Sequence, residues 1–151
     1  MDNPAGARQT RRVNRTVATF YATVSGNAEA LALAAAEGLR ATGMDAPVFD
    51  LAGFPAARLR EFDQALFIVS TWGEGAPPPD AAAFFAAMRN HQGLRLPGLA
   101  YAVFALGSRS YANFCGSGRN LDADLAACGA RRLLERVDSD TRYKAAFEDW
   151  L

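Results

Sequence analysis

Short unbroken apolar runs alternate along this chain with longer stretches whose apolar residues recur at helical spacing. The first run is Thr16 to Tyr21 (TVATFY). Ala65 to Ser70 (ALFIVS) and Leu99 to Leu106 (LAYAVFAL) are apolar without alternation, the signature of strands buried on both faces. Between them, Asn27 to Thr42 places Leu31, Ala35 and Leu39 on one side of a helix, and Gly43 suits its stop. Ala46 to Leu51 predicts a short second strand, and Gly53 to Arg60 a loop or short helix. Ala81 to Asn90 predicts a helix with Phe84, Phe85 and Met88 inward, capped by Asp80. A further helix with Leu121 and Leu125 inward ends near Cys128 and Gly129. Ala130 to Val137 predicts a fifth strand, and Thr141 to Leu151 a last helix with Tyr143, Phe147 and Trp150 on its inner side.

Strands alternating with helices predict a doubly wound α/β domain with a five-stranded, mainly parallel sheet. In such a sheet a ligand sits outside the carboxyl ends of the strands, where the strand order reverses. The loops after strands 1, 3 and 4 are therefore the places to look for chemistry.

Length and charge narrow the field. The chain has 151 residues, enough for one domain with a real core and too few for a second catalytic one. Its 16 basic and 16 acidic residues leave no bulk positive charge for nucleic acid. The balance is uneven, however. Arg8, Arg11, Arg12 and Arg15 lie in a polar opening stretch, expected to be a disordered basic leader over 1–14, with the folded domain over 15–151. The leader lacks the apolar core of a signal peptide, and no run reaches the ~20 residues of a membrane span, so a cytoplasmic protein is expected. Cys115 and Cys128 form no disulfide framework or zinc motif. His91 alone cannot supply a histidine-rich metal site, and reads as a helix-end or surface residue.

The first loop, Thr23-Val24-Ser25-Gly26-Asn27-Ala28, joins a strand to a helix start. It reads either as an ordinary capped helix start or as a phosphate cradle, with free N–H groups, two hydroxyls and no cation. It is neither a Walker A loop nor a dinucleotide fingerprint. The second loop, Ser70 to Pro79 (STWGEGAPPP), places Trp72 among small residues, where its face is open to a planar ligand. Tyr111 is the corresponding aromatic of the third loop, Gly107 to Cys115. A cradle and two loop aromatics describe a slot for a flat heteroaromatic phosphomonoester.

Those motifs, YATVSGNAE (21–29), STWGEGAPPP (70–79) and FALGSRSYANFCGSG (104–118), resemble the flavodoxin-like FMN domain of diflavin reductases such as sulfite reductase flavoprotein and nitric-oxide synthase. The resemblance spans 16–151 and implies the flavodoxin strand order 2-1-3-4-5 with helices on both faces. It implies FMN as cofactor, with Thr23, Ser25, Gly26, Asn27 and Ala28 on the phosphate. It puts Trp72 and Tyr111 on the two faces of the ring, and Thr71, Gly73, Gly75, Leu106 and Gly107 along the ring edge and ribityl chain. Asn113, Phe114, Cys115 and Asp138 fall near the flavin. Trp72 stands where the family more often has Tyr, and Ala76 where Asp is frequent. Gly73 is the expected redox-tuning residue, because only a peptide free of Cβ strain can turn its carbonyl toward flavin N5.

The implied function is an electron carrier that moves electrons one at a time from an FAD/NADPH reductase module, in cis or in trans, to an acceptor protein. The abrupt end at Leu151 fits a trimmed domain, and the chain as given is expected to need a partner to accept hydride from NADPH. Glu74, Asp80, Asp138 and Asp140 are candidates for steering a basic partner. Two other classes compete: a flavodoxin-like protein-interaction module without FMN, and an FMN enzyme acting on a small substrate. Two stacked aromatics leave such a substrate little ring surface.

Overall fold

The computed structural model describes residues 16–72, 75–90, 94–107 and 115–139. The leader, Gly73, Glu74, His91, Tyr111, Asn113, Phe114, Asp140 and the expected last helix lie outside the described residues.

The elements in order are β1 (Ala18–Ala22), α1 (Asn27–Ala41), β2 (Val48–Asp50), a 3₁₀ turn (Ala56–Glu61), β3 (Gln64–Ser70), a second 3₁₀ turn (Pro79–Ala81), α2 (Ala82–Arg89), β4 (Ala100–Leu106), α3 (Gly116–Ala127), β5 (Arg131–Arg132) and β6 (Val137–Ser139). The sheet runs β2-β1-β3-β4-β5, with β6 also on β4, and every pairing is parallel. This is the predicted 2-1-3-4-5 order.

Apolar burial accounts for the layering. Along β1, Ala18, Phe20 and Ala22 point to one face of the sheet. There they meet Phe67 and Val69 of β3, Tyr101 and Val103 of β4, and the inward side chains of α2 and α3. Phe20 stacks on Phe67 with ring centroids 5.0 Å apart, and Phe49, Phe54 and Phe62 crowd round it. The opposite face is covered by α1, which lays Ala28, Leu31, Ala32 and Ala35 on Ile68, Phe104 and Leu106. As its continuous apolar run implies, β4 is buried along its whole length.

Two local expectations need correction. Asp80 is not a helix cap. It lies inside the 3₁₀ turn that Pro78 and Pro79 start, and α2 begins behind it with no side-chain cap. The fifth strand is not continuous from Ala130 to Val137. It is two short strands, with Leu133 and Leu134 exposed between them. Both arginines flanking that break, Arg132 and Arg136, reach the same carboxylate, Asp122 of α3. In an unbroken strand their Cα atoms would be about 13 Å apart; the break is where the edge departs from β4. Among the described residues no helix is long and apolar enough to cross a membrane.

Candidate functional site

The in-register pairs Ala22 with Val69 and Ser70 with Leu106 bring the carboxyl ends of β1, β3 and β4 to one level. The three loops singled out in the sequence therefore leave the sheet side by side.

After β1 the chain turns at Gly26, whose φ of 94° places it in the left-handed region, and enters α1. The Gly26 N–H donates to Thr23 Oγ1 at 2.8 Å, so the Thr23 hydroxyl oxygen shapes the loop itself. Among the described residues no side chain caps α1. A 15-residue helix with uncapped first N–H groups presents donors and a positive dipole end to whatever lies before it. Ser25 is exposed beside that end, and Ala28 is fully buried, its side chain in the core. The acid of the first turn, Glu29, accepts a hydrogen bond from the Tyr21 hydroxyl at 3.3 Å. Burial, then the nearby Asp50 and Glu29 carboxylates, push the Tyr21 phenol above its ordinary pKa, so it remains a donor there. These features fit a phosphate held by neutral donors.

After β3 the second loop closes on itself. The Trp72 N–H donates to the Ala76 carbonyl at 2.7 Å and the Ala76 N–H returns to Trp72 at 3.0 Å, with Gly75 at φ 116° in the turn between. The Trp72 side chain is 52% exposed. A large indole left half in solvent at the mouth of the sheet has an open face for a planar ring.

The third loop is described at its two ends. Leu106 is buried at the end of β4, and the Gly107 N–H donates to the Ser139 carbonyl at 3.0 Å. A Cβ on Gly107 would stand 2.8 Å from the Cys115 nitrogen, so a side chain there would force the two loop ends apart. Cys115 is fully buried at φ 57°, and its Sγ lies 3.5 Å from the carbonyls of Ala105 and Ser139. It packs the loop end onto β4 and β6, in keeping with the packing role its size suggests.

Asp138 is placed within β6, not on a loop beyond it, and its carboxylate is held by both arms of Arg136 at 2.7 and 3.1 Å. An acid so neutralised offers little to a basic partner.

Two groups of residues were missed in the sequence. Ser117, buried in the first turn of α3, donates to the Ser70 carbonyl at 2.7 Å and lies 3.1 Å from Thr71 Oγ1. The other group is the polar knot at the far end of β4. There the Tyr101 hydroxyl donates to Asp122 Oδ1 at 2.7 Å, while Arg132 and Arg136 hold the same carboxylate. A serine or an aspartate in a helix carries no periodic signal that separates these inward side chains from solvated ones. Among the described residues no group of three or more His, Cys, Asp or Glu could hold a metal ion.

The family described as flavodoxin matches residues 19–150. The sulfite reductase [NADPH] flavoprotein alpha-component of Vibrio cholerae serotype O1 is 36% identical over 131 residues, covering 87% of this chain and 21% of that protein. Its counterpart in Neisseria meningitidis serogroup C is 35% identical over 135 residues, 89% of this chain and 22% of that protein. The chain thus spans about a fifth of the length of the curated relatives it matches. Among solved structures, oxidised Flavodoxin 1 from Bacillus cereus superposes with a TM-score of 0.78 at 28% identity, over 89% of this chain and 90% of that one. A flavodoxin of Streptococcus pneumonia TIGR4 gives a TM-score of 0.77 at 27% identity, over 88% of this chain and 90% of that one.

Proposed function

The chain belongs to the flavodoxin family, and from that premise we propose that it is an FMN-binding electron carrier. It passes electrons from an FAD/NADPH reductase module to an acceptor protein, in the cytoplasm. The observation that carries this reading is the uncapped start of α1 beside the half-exposed Trp72, on loops that leave adjacent parallel strands at one level. The sulfite reductase flavoproteins it resembles supply the reductase class of partner.

In this reading Thr23, Ser25, Gly26, Asn27 and Ala28 surround the phosphate. The N–H groups at the start of α1 and the Ser25 hydroxyl donate to it. Trp72 covers one face of the ring and Tyr111 the other. The backbones of Thr71, Gly73, Gly75, Leu106 and Gly107 line its edge, with Asn113, Phe114, Cys115 and Asp138 nearby. Bound FMN supplies the redox chemistry, accepting and releasing electrons singly. The protein orients it, excludes water from its faces and sets its potential.

Titration of flavin-free protein tests this directly. FMN is expected to bind with quenching of its fluorescence and to give a yellow complex. Riboflavin, which lacks the phosphate, is expected to bind at least tenfold more weakly, because each lost charge-assisted hydrogen bond removes roughly 1.5 kcal/mol or more. A protein that binds neither is not an FMN carrier. Equal affinity for the two would remove the phosphate cradle from the proposal.

A further inference from the structure

We propose that Ser117 is a positioning residue that fixes the base of the Trp72 hairpin and thereby sets how the protein grips its flavin. The proposal deepens the FMN reading above and rests on it. Ser117 lies in the first turn of α3, at the end of the 104–118 motif and far along the chain from Trp72.

The start of α3 cannot slide. A Cβ on Gly118 would come within 2.2 Å of the Ala105 Cβ, so helix and strand touch backbone to side chain at that point. One turn earlier, the buried Cys115 packs against the ends of β4 and β6. From this fixed platform the Ser117 side chain, 1% exposed, reaches across to the end of β3.

Counting protons gives the link a direction. A carbonyl oxygen can only accept, so the single Ser117 proton is committed to the Ser70 carbonyl at 2.7 Å. The 3.1 Å contact with Thr71 Oγ1 must then be made by the Thr71 proton. The relay runs from Thr71 O–H to Ser117 O–H to Ser70 C=O. The Thr71 hydroxyl is therefore not a free donor toward a ligand, and what Thr71 offers the ring is its backbone.

The next residue is Trp72. Among the described residues its backbone pairs with Ala76 alone, through two hydrogen bonds. Half of the indole lies in solvent, so packing does little to hold it. The pose of the hairpin is set at its base, one residue from the Ser117 pin. With Ser117→Ala, the Thr71 hydroxyl loses its acceptor and the Ser70 carbonyl loses its donor in a part-buried place.

The test uses Trp150→Phe protein, in which Trp72 is the sole tryptophan. Ser117→Ala is expected to weaken FMN binding about tenfold and to shift the midpoint potentials of the bound flavin. In flavin-free protein, well below the melting temperature, Trp72 emission is expected to move to longer wavelength with lower anisotropy. Thr71→Val should produce a smaller change of the same kind, and the double variant no more than Ser117→Ala alone, because the Thr71 hydroxyl acts through Ser117. If Ser117→Ala does not fold, Thr71→Val carries the same measurements, since it leaves the Ser117 bond to Ser70 in place. Parental affinity, potentials and Trp72 emission in a variant that merely melts earlier would overturn the proposal, as would strictly additive effects. If the parent protein takes up no FMN, the FMN reading fails, and the emission and anisotropy of Trp72 still decide whether Ser117 sets the hairpin.

Discussion

At its amino end, β4 runs into a carboxylate held by three side chains. Asp122 accepts from the buried Tyr101 hydroxyl, from Arg132 at 2.9 Å and from Arg136 at 3.2 Å, and Arg136 also grips Asp138. At its carboxyl end, the same strand opens beside a helix start without a cap and an indole half in water. Both ends are polar and lie within one small sheet. One end spends its polar groups on each other, and the other leaves donors and an aromatic face for something else. Burial with full pairing marks a region built for stability, whereas unspent hydrogen-bonding capacity at a strand end marks one built to bind.

The contrast breaks most visibly at Asp122. Asp122→Ala removes the carboxylate shared by Arg132, Arg136 and the buried Tyr101 phenol, and we expect a loss of about 3 kcal/mol in urea unfolding. FMN affinity should move less than about threefold, since the two regions share few partners. A large loss of affinity without loss of stability would mean that the knot belongs to the site.

Trp72→Ala is the mirror experiment. About a tenfold loss of FMN affinity is expected from the lost stacking surface. Stability of the flavin-free protein should stay within roughly 0.5 kcal/mol of the parent, because the side chain is half exposed.

Tyr101→Phe isolates one member of the knot. It should cost about 1 kcal/mol near neutral pH. Burial, then the hydrogen bond to Asp122, holds the Tyr101 phenol above its ordinary value of 10.0. The folded protein thus keeps a proton that the unfolded chain releases. This contribution is complete below pH 10 and is lost as pH rises further. Unfolding measured from pH 8 to pH 11 should show a steeper alkaline decline in the parent than in Tyr101→Phe. Tyr21, whose pKa is also raised, should leave a residual slope in both.

The smallest effect sharpens the contrast. Thr19, on the α1 face of β1, is fully buried, and among the described residues its hydroxyl is the one buried side-chain polar atom without a hydrogen-bond partner. Thr19→Val is expected to raise stability by up to about 1 kcal/mol. It should leave FMN binding unchanged, because Thr19 lies inside the sheet and away from the loops.

Much of this architecture was legible in the sequence. The apolar runs of β3 and β4 and the helical stripe of α1 could bury their surface in one way only, as a parallel sheet with helices on both faces. The first and second loops stood out because their composition makes poor core and good ligand contact. Where the reading erred, a long-range partner overrode a local signal. Ala130 to Val137 has the composition of a strand, yet the chain breaks between two arginines that meet at Asp122, a residue of the preceding helix. Asp138 had the charge to steer a basic partner, but Arg136, two residues earlier, holds it. Asp80 had the chemistry of a cap, but the prolines before it start the helical turn first.

What the sequence determined by itself was set by periodicity: which segments are strands, which are helices, and which loops crowd the carboxyl edge of the sheet. Periodicity reports which face of an element is apolar, and burying that face is the main driving force of folding. What only the tertiary structure decided was the direction of single polar groups. Ser117 could have faced solvent or the end of β3, and Asp122 could have been one more exposed acid. A hydroxyl or carboxylate takes its role from a donor or acceptor many residues away, and hydrophobic pattern carries no information about that partner.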